Sequence, residues 1–257
     1  MFKRLLFFVY GLTCYVIFLG TFLYAIGFIG NLILPRTLDG AASTPVGLAI
    51  AIDVALLLLF ALQHSIMARR WFKERWTRIV PEPIERSTYV LFSSLALILL
   101  FSQWEPIGGV IWSVENPIGR LALQSLFALG WLLILVATFL INHFDLFGLR
   151  QVWLYLRGRP YSALPFSTPG LYRVVRHPLY VGWLLAFWMA PTMTIAHLLF
   201  SVATTAYIVM AIQFEERDLI DSHGDKYRYY KRSVPMLVPF ASRRTPAVPG
   251  TITREEL

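Results

Sequence analysis

The chain has 257 residues, of which 57% are apolar and 15% are charged. An ordinary soluble domain carries charge on about a quarter of its residues, so this chain has too few charges to coat a soluble globule, and a soluble enzyme is excluded. A disulfide scaffold is excluded as well, because Cys14 is the single cysteine. The formal net charge of +8 leaves two partners open, nucleic acid and a membrane surface.

Long apolar stretches follow one another along the chain, and we interpret them as membrane-spanning segments. They are Leu5 to Ile33, Val46 to Met67, Tyr89 to Trp104, Ile118 to Ile141 and Leu179 to Phe214. The last stretch is too long for one crossing at about 1.5 Å per residue, and Pro191 interrupts it, so it predicts a helical hairpin that turns near Pro191 to Thr194. The expected fold class is all-α, a polytopic integral membrane helix bundle with five to six spans.

Once these spans are assigned, almost all of the basic residues fall on one side of the membrane. Twenty-one of the 23 lysines and arginines fall in the termini and in the segments after the second and fourth spans. Only Arg36 and Arg120 remain for the opposite side. This positive-inside pattern predicts that both termini face the cytoplasm. Because topology explains the basic excess, nucleic acid is not an expected partner and the lipid bilayer is.

Two histidine-containing segments lie at the expected cytoplasmic ends of spans. Gln63-His64-Ser65 ends the second span, where the histidine could serve function or could only form a helix-to-helix hydrogen bond. Asn142-His143-Phe144-Asp145 closes the fourth span, where a histidine near a carboxylate could take a proton or could simply cap the helix. The five histidines lack the spacings typical of zinc sites, so no metal is predicted.

A dense cluster of chemistry-bearing residues flanks the hairpin. Its first arm begins at Arg176 to Gly182, and its second arm ends with Glu215-Glu216. Because the two arms are antiparallel, both segments should meet at one membrane face and form one site. Carboxylates can bind ribose hydroxyls, aromatic faces can hold adenine or a sulfonium, and arginine can clamp a carboxylate, which together suit S-adenosylmethionine. A basic loop that is salt-bridged to an acidic helix end is the alternative interpretation.

Residues 170 to 239 resemble the C-terminal signature of membrane methyltransferases related to isoprenylcysteine carboxyl methyltransferase. The resemblance rests on Arg176-His177-Pro178-x-Tyr180-x-Gly182, on Glu215-Glu216-x-x-Leu219, and on Gly224, Tyr227, Tyr230 and Val234-Pro235 after them. In that family the region is a helical hairpin with cytoplasmic loops that enclose S-adenosylmethionine. The cofactor-binding residues that we expect from it are Arg176, His177, Pro178, Tyr180, Gly182, Glu215, Glu216, His223 and Tyr227.

The rest of the chain is similar to the nurim and NnrU-like branch. The segments are Phe60 to Arg69, Glu85 to Leu91 and His143 to Gln151, which resemble those of bacterial methanethiol S-methyltransferases. That resemblance implies conversion of methanethiol, a small thiol, to dimethyl sulfide and a place in a bacterial inner membrane. It also implies one membrane methyltransferase domain: residues 1–142 form four spans, residues 143–240 carry the cytoplasmic loop, hairpin and cofactor site, and residues 241–257 form a flexible tail.

Methylation of a thiol requires the thiolate, so the site needs a base and positive charge. We expect His143 or His64 to be the base or proton relay, with Asp145 orienting the imidazole of His143. Arg86 or Arg150 would raise the thiolate content. Two other functions fit the same resemblance, a non-enzymatic membrane protein of the nurim and NnrU kind and a methyltransferase for a lipidic or prenylated acceptor. The oligomeric state is left open.

Overall fold

The computed structural model describes residues 1–239, so the tail expected at residues 241–257 lies outside the described residues. Helices dominate these residues, joined by two short strands and one 3-10 turn at Gly170–Arg173. The helices are α1 Phe2–Ile29, α2 Val46–Ala68, α3 Arg70–Trp76, α4 Glu82–Gln103, α5 Pro117–Leu140, α6 His143–Leu146, α7 Leu149–Leu156, α8 Pro178–Trp188, α9 Ile195–His223 and α10 Asp225–Ser233. The strands are β1 Val110–Ser113 and β2 Thr192–Thr194.

Among the described helices, five are long and apolar enough to cross a membrane, namely α1, α2, α4, α5 and α9. Large apolar side chains such as Leu58 and Leu132 are exposed on their outer faces, as a lipid-facing surface requires. Local signals set the helix ends: Asn116 caps α5 through its side chain, and Pro178 begins α8. The all-α polytopic membrane bundle expected from hydropathy is therefore confirmed.

The C-terminal hairpin forms where Pro191 breaks the last apolar stretch. Its arms are α8 and α9, and the turn between them contains β2, which pairs antiparallel with β1. Because β1 connects the end of α4 to the start of α5, the hairpin turn reaches the same end of the bundle as that connection. At about 1.5 Å per residue, Glu215 lies about 30 Å along α9 from Ile195, at the opposite end of the bundle.

Close packing of α8 against α5 fixes the position of the hairpin. Gly182 and Gly130 face each other so tightly that a Cβ added at Gly130 would lie 2.7 Å from the Gly182 carbonyl oxygen. Beside this contact, Trp131 packs edge to face against Phe22 and Trp183 in the buried core. The start of α8 is thereby held at the end of the bundle where α2 and α5 end and α4 begins. We call this end the basic end.

Candidate active site

A buried ion cluster joins the two arms of the hairpin at the basic end. Oε1 of Glu216 in α9 lies 2.8 Å from Arg176 Nε and 3.1 Å from His177 Nε2. Its Oε2 lies 2.7 Å from Lys231 Nζ. Arg176 also donates to the carbonyl oxygens of Lys231 and Val234. The prediction that residues 176–182 and 215–216 form one cluster is confirmed. Because Glu216 is buried and its charge is already paired, this cluster locks the hairpin to α10.

Glu215, the neighbouring acid, lies in a different environment. Its Oε2 accepts a hydrogen bond from the Tyr180 hydroxyl at 3.0 Å, and the His177 ring approaches that oxygen at 3.9 Å. The Glu215 side chain keeps 46% of its surface exposed. A ligand at the basic end can therefore reach the Glu215 carboxylate, whereas the Glu216 carboxylate is closed off.

Pro178 and Gly182, two further residues of the 176–182 segment, determine how α8, the helix that carries Tyr180, packs. Pro178 is buried as the first residue of α8, where its missing N–H costs no hydrogen bond. Gly182 lies one turn further, and a Cβ added there would lie 2.8 Å from Cγ1 of Ile134 in α5. Both residues thus give the hairpin its packing against α5, which sets the direction of Tyr180.

An aromatic cluster covers the same end of the hairpin. Phe166, from the segment between α7 and the 3-10 turn, lies with its ring 5.1 Å from that of His223 and 5.8 Å from that of Tyr227. Burial raises the pKa of the Tyr227 hydroxyl, which keeps it protonated. The sequence motifs marked His223 and Tyr227 but not Phe166, because a single aromatic residue in a loop has no periodicity or spacing that singles it out.

His64 of α2 is held by α4 at the same end of the bundle. The Tyr89 hydroxyl lies 3.0 Å from its Nε2, and Ser93 Oγ lies 3.1 Å from its Nδ1. The Arg86 guanidinium stacks over the Tyr89 ring at 5.2 Å and donates from Nε to the Leu146 carbonyl oxygen. His64 is thus a half-buried imidazole with hydroxyl groups on two sides and a cation nearby.

His143 is placed differently, and the structure corrects one expectation about it. Its Nδ1 lies 2.9 Å from Thr138 Oγ1 and its Nε2 lies 2.8 Å from the Tyr15 hydroxyl. Since Thr138 donates its hydroxyl hydrogen to Leu135, it must accept from Nδ1–H, and Tyr15 then donates to Nε2. Both ring nitrogens are satisfied, and burial lowers the pKa of His143.

The expected orientation of the His143 ring by Asp145 is wrong. Asp145 Oδ1 pairs instead with Arg150 Nη1 at 2.8 Å, and the Asp145 backbone N–H is capped by the Asn142 side chain. Two residues apart on a helical turn, His143 and Asp145 point away from one another. Arg150 is therefore committed to this ion pair and to the Ser162 carbonyl oxygen.

Three tyrosines connect the His64 cluster to the hairpin cluster. Tyr207 of α9 hydrogen-bonds with Ser65 at 3.1 Å, beside His64. The Tyr180 hydroxyl lies close enough to those of Tyr207 and Tyr89 to interact electrostatically with both. Tyr207 went unnoticed in the sequence because it lies within an apolar stretch. We call Tyr180, Tyr207 and Tyr89, which lie between Glu215 and His64, the tyrosine line. The His143 ring packs instead against the ring of Phe147, 4.8 Å away.

Within residues 1–239, no three histidine, cysteine, aspartate or glutamate side chains come together in a way that could hold a metal ion. The clusters described above are therefore ionic, aromatic and hydroxyl-bearing in character.

Comparison with known proteins decides the family. A methanethiol S-methyltransferase of Crocosphaera subtropica is 59% identical over 236 residues, which cover 92% of this chain and 92% of that protein. A methanethiol S-methyltransferase of Mycobacterium tuberculosis is 54% identical over 243 residues, which cover 95% of this chain and all of that protein. This chain belongs to the methanethiol S-methyltransferase family.

Two further matches extend the family relationship. A family model described as "Protein of unknown function (DUF1295)" matches residues 60–234, a segment that holds every candidate site residue from His64 to Lys231. Nurim of Rattus norvegicus is 34% identical over 179 residues, which cover 66% of this chain and 68% of nurim. The resemblance to methanethiol S-methyltransferases and to nurim is therefore confirmed. No solved structure matches this chain.

Proposed function

We propose that this protein is an S-adenosylmethionine-dependent methyltransferase that converts methanethiol to dimethyl sulfide. The observation that carries the proposal is that Tyr180, which hydrogen-bonds with the exposed Glu215 carboxylate, lies near Tyr89, which hydrogen-bonds with the His64 imidazole. A two-substrate methyl transfer needs two neighbouring binding regions that open on each other. The names of relatives at 59% and 54% identity support methanethiol as the acceptor.

The chemistry of the hairpin residues fits S-adenosylmethionine. The Glu215 carboxylate is exposed and can accept hydrogen bonds from ribose hydroxyls, and the rings of Phe166 and His223 offer faces for a base. His177 and Tyr180 hold the position of Glu215 from the buried side. When bound, S-adenosylmethionine would supply an electrophilic methyl group on its sulfonium sulfur: the carbon–sulfur bond to that methyl group would break as the thiolate bonds to the carbon, and S-adenosylhomocysteine would leave with the electron pair.

The chain's own contribution at the acceptor is to remove a proton and stabilise the resulting anion. We assign the base role to His64, whose neighbour Ser65 hydrogen-bonds with Tyr207 of the hairpin, rather than to His143, whose ring is held by Tyr15 of α1 and Thr138 of α5. The thiol proton passes from sulfur to the His64 imidazole, and the electron pair stays on sulfur as the nucleophile. The positive charges of Arg86 and Arg69 beside Tyr89 favour the thiolate.

The site is proposed to open to the cytoplasm. The arrangement of the basic residues supports this sidedness, with both termini cytoplasmic and the protein in a bacterial inner membrane. The basic end, which carries Glu215 and the loop after α7, then faces the source of a soluble cofactor. Methanethiol is small and apolar, so it can arrive through the bilayer. The chain works as one domain, since its N-terminal spans supply His64 and its hairpin supplies Glu215.

An acceptor screen on the purified protein tests the proposal. Methanethiol, a longer alkanethiol and a prenylated cysteine are each supplied with S-adenosylmethionine, and methylated products are measured by gas chromatography or mass spectrometry. We expect dimethyl sulfide as the main product. Methylation of the prenylated cysteine alone would assign the site to lipidic acceptors, and absence of any methylated product together with absence of cofactor binding would favour a non-enzymatic membrane protein.

A further inference from the structure

A group of cations lies beside the His64 cluster at the basic end, and one of them, Lys73, has no part in the proposed acceptor chemistry. Arg69 follows α2, Lys73 lies on α3 and Arg86 lies in the first turns of α4. Lys73 is close enough to Arg86 and Arg69 to interact electrostatically with both, and Arg69 acts in the same way on Tyr89 and Tyr207. We call Arg69, Lys73 and Arg86 the cationic rim.

The members of the rim differ in how far their charges are already paired. Arg69 donates to Asp218 Oδ2 at 3.0 Å and to the Ser65 carbonyl oxygen at 3.2 Å. Arg86 donates only from Nε, to the Leu146 carbonyl oxygen, among the residues that the structure describes. Across residues 1–239, the half-buried Lys73 ammonium makes neither a hydrogen bond nor an ion pair. Two cations of the rim therefore have donors to spare.

Electrostatics within the rim favours an anion there. Burial, and then the nearby Arg86, lower the pKa of Lys73, while the acids Glu85 and Asp218 oppose this only in part. Glu85 forms no ion pair with Lys73 within the described part of the chain, and its buried Oε1 has no hydrogen-bond partner there. A charged ammonium in this environment would be stabilised by a carboxylate that bridged it to Arg86.

The two cations of the buried hairpin cluster are already paired. Arg176 is buried, and its guanidinium donates hydrogen bonds to Glu216 and to two backbone carbonyl oxygens. Lys231 is paired with the same Glu216. S-adenosylmethionine carries an α-carboxylate at the end of its methionine part, and charged groups of that kind require a paired cation when they leave water. Arg86 and Arg69 of the rim, by contrast, act electrostatically on Tyr89.

We propose that Lys73 and Arg86 bind the α-carboxylate of S-adenosylmethionine. This inference rests on the proposed function, and it places the methionine part of the cofactor against α3 and α4 while the nucleoside part contacts the hairpin. The bound cofactor then extends from Glu215, past Tyr180, Tyr207 and Tyr89, to the cationic rim. Arg69 adds positive potential and links the end of α2 to α9 through its ion pair with Asp218.

Calorimetric titration with two ligands tests this assignment. S-adenosylmethionine and its decarboxylated analogue are titrated into the purified wild-type protein, Lys73→Met and the control Arg75→Met, which removes an equal charge from the exposed side of the same helix. We expect Lys73→Met to weaken S-adenosylmethionine binding by about 10-fold or more and to leave the analogue's affinity unchanged or improved, because one charge-assisted contact is lost. Arg75→Met should match wild type, and Lys73→Arg should restore most of the affinity.

Two results would count against the inference and are separable. Equal affinity of Lys73→Met and wild type for S-adenosylmethionine, or an equal loss for both ligands, would overturn the carboxylate site while leaving the proposed function standing. Failure of the wild-type protein to bind S-adenosylmethionine at all would overturn the proposed function and this inference with it.

Discussion

The Tyr89 hydroxyl of α4 lies 3.0 Å from Nε2 of His64 in α2. Ser93, one turn further along α4, lies 3.1 Å from Nδ1 of the same ring. Residues four apart share a helix face, so one face of α4 holds the imidazole from two directions. The position of the proposed base therefore depends on the packing of α2 against α4.

Tyr89→Phe tests this positioning role. Removal of the hydroxyl keeps the aromatic ring over which Arg86 stacks, so the fold should be retained. We expect kcat for dimethyl sulfide formation to fall roughly 10-fold with little change in KM for methanethiol, because the loosened imidazole accepts the proton less efficiently. Steady-state kinetics measures both constants. An unchanged kcat would show that the Tyr89 hydroxyl does not hold His64 for the reaction.

Stability should depend on pH through His143. Burial lowers the pKa of His143 below its ordinary 6.5, so the folded protein binds fewer protons than the unfolded chain as the pH falls through that value. The contribution of the neutral ring to stability is complete above about pH 6.5 and is lost between that pH and the lowered pKa. The Tm of the wild-type protein in detergent should therefore fall more steeply from pH 7 to pH 5 than that of His143→Gln. Parallel curves for the two proteins would contradict this account.

Sequence patterns predicted the large features because they arise from many residues acting together. Hydropathy located the spans, Pro191 located the hairpin turn, and antiparallel arms placed Arg176 near Glu216, all of which the structure confirms. Individual partners were harder to predict. His143 bonds with Tyr15, which is 128 positions away in α1, and only helix packing brings the two together.

The two neighbouring acids should respond differently to neutralisation. Glu216→Gln leaves the buried Arg176 without its paired charge, so we expect a loss of about 3 to 5 kcal/mol in the free energy of unfolding and a much lower Tm. Glu215→Gln should keep the Tm of wild type, because this side chain is exposed, and should weaken binding of S-adenosylmethionine. Scanning fluorimetry and calorimetric titration measure the two effects. Similar Tm losses in both variants would refute the division between a structural and a ligand-facing acid.

The contact between α5 and α8 gives a prediction about packing. A methyl group at Gly130 would lie 2.7 Å from backbone atoms of α8, so Gly130→Ala should push the hairpin away from α5 and cost about 1 to 3 kcal/mol or more. Gly20→Ala is the matched control, because nothing lies within 4 Å of its added methyl group and alanine favours the helix. Thermal unfolding of the two variants checks this. An equal Tm for both would mean that the close approach of α5 and α8 does not limit the fold.

Transfer of an isotopically labelled methyl group tests the central claim most directly. Wild-type protein and His64→Gln, both purified and shown to bind S-adenosylmethionine, are supplied with methanethiol and the cofactor labelled in its methyl group, and labelled dimethyl sulfide is measured over time. The account predicts labelled dimethyl sulfide from the wild-type protein and a rate about 100-fold to 10,000-fold lower from His64→Gln, the range expected when a general base is removed. No labelled dimethyl sulfide from a wild-type protein that binds the cofactor, or equal rates for the two proteins, would contradict it.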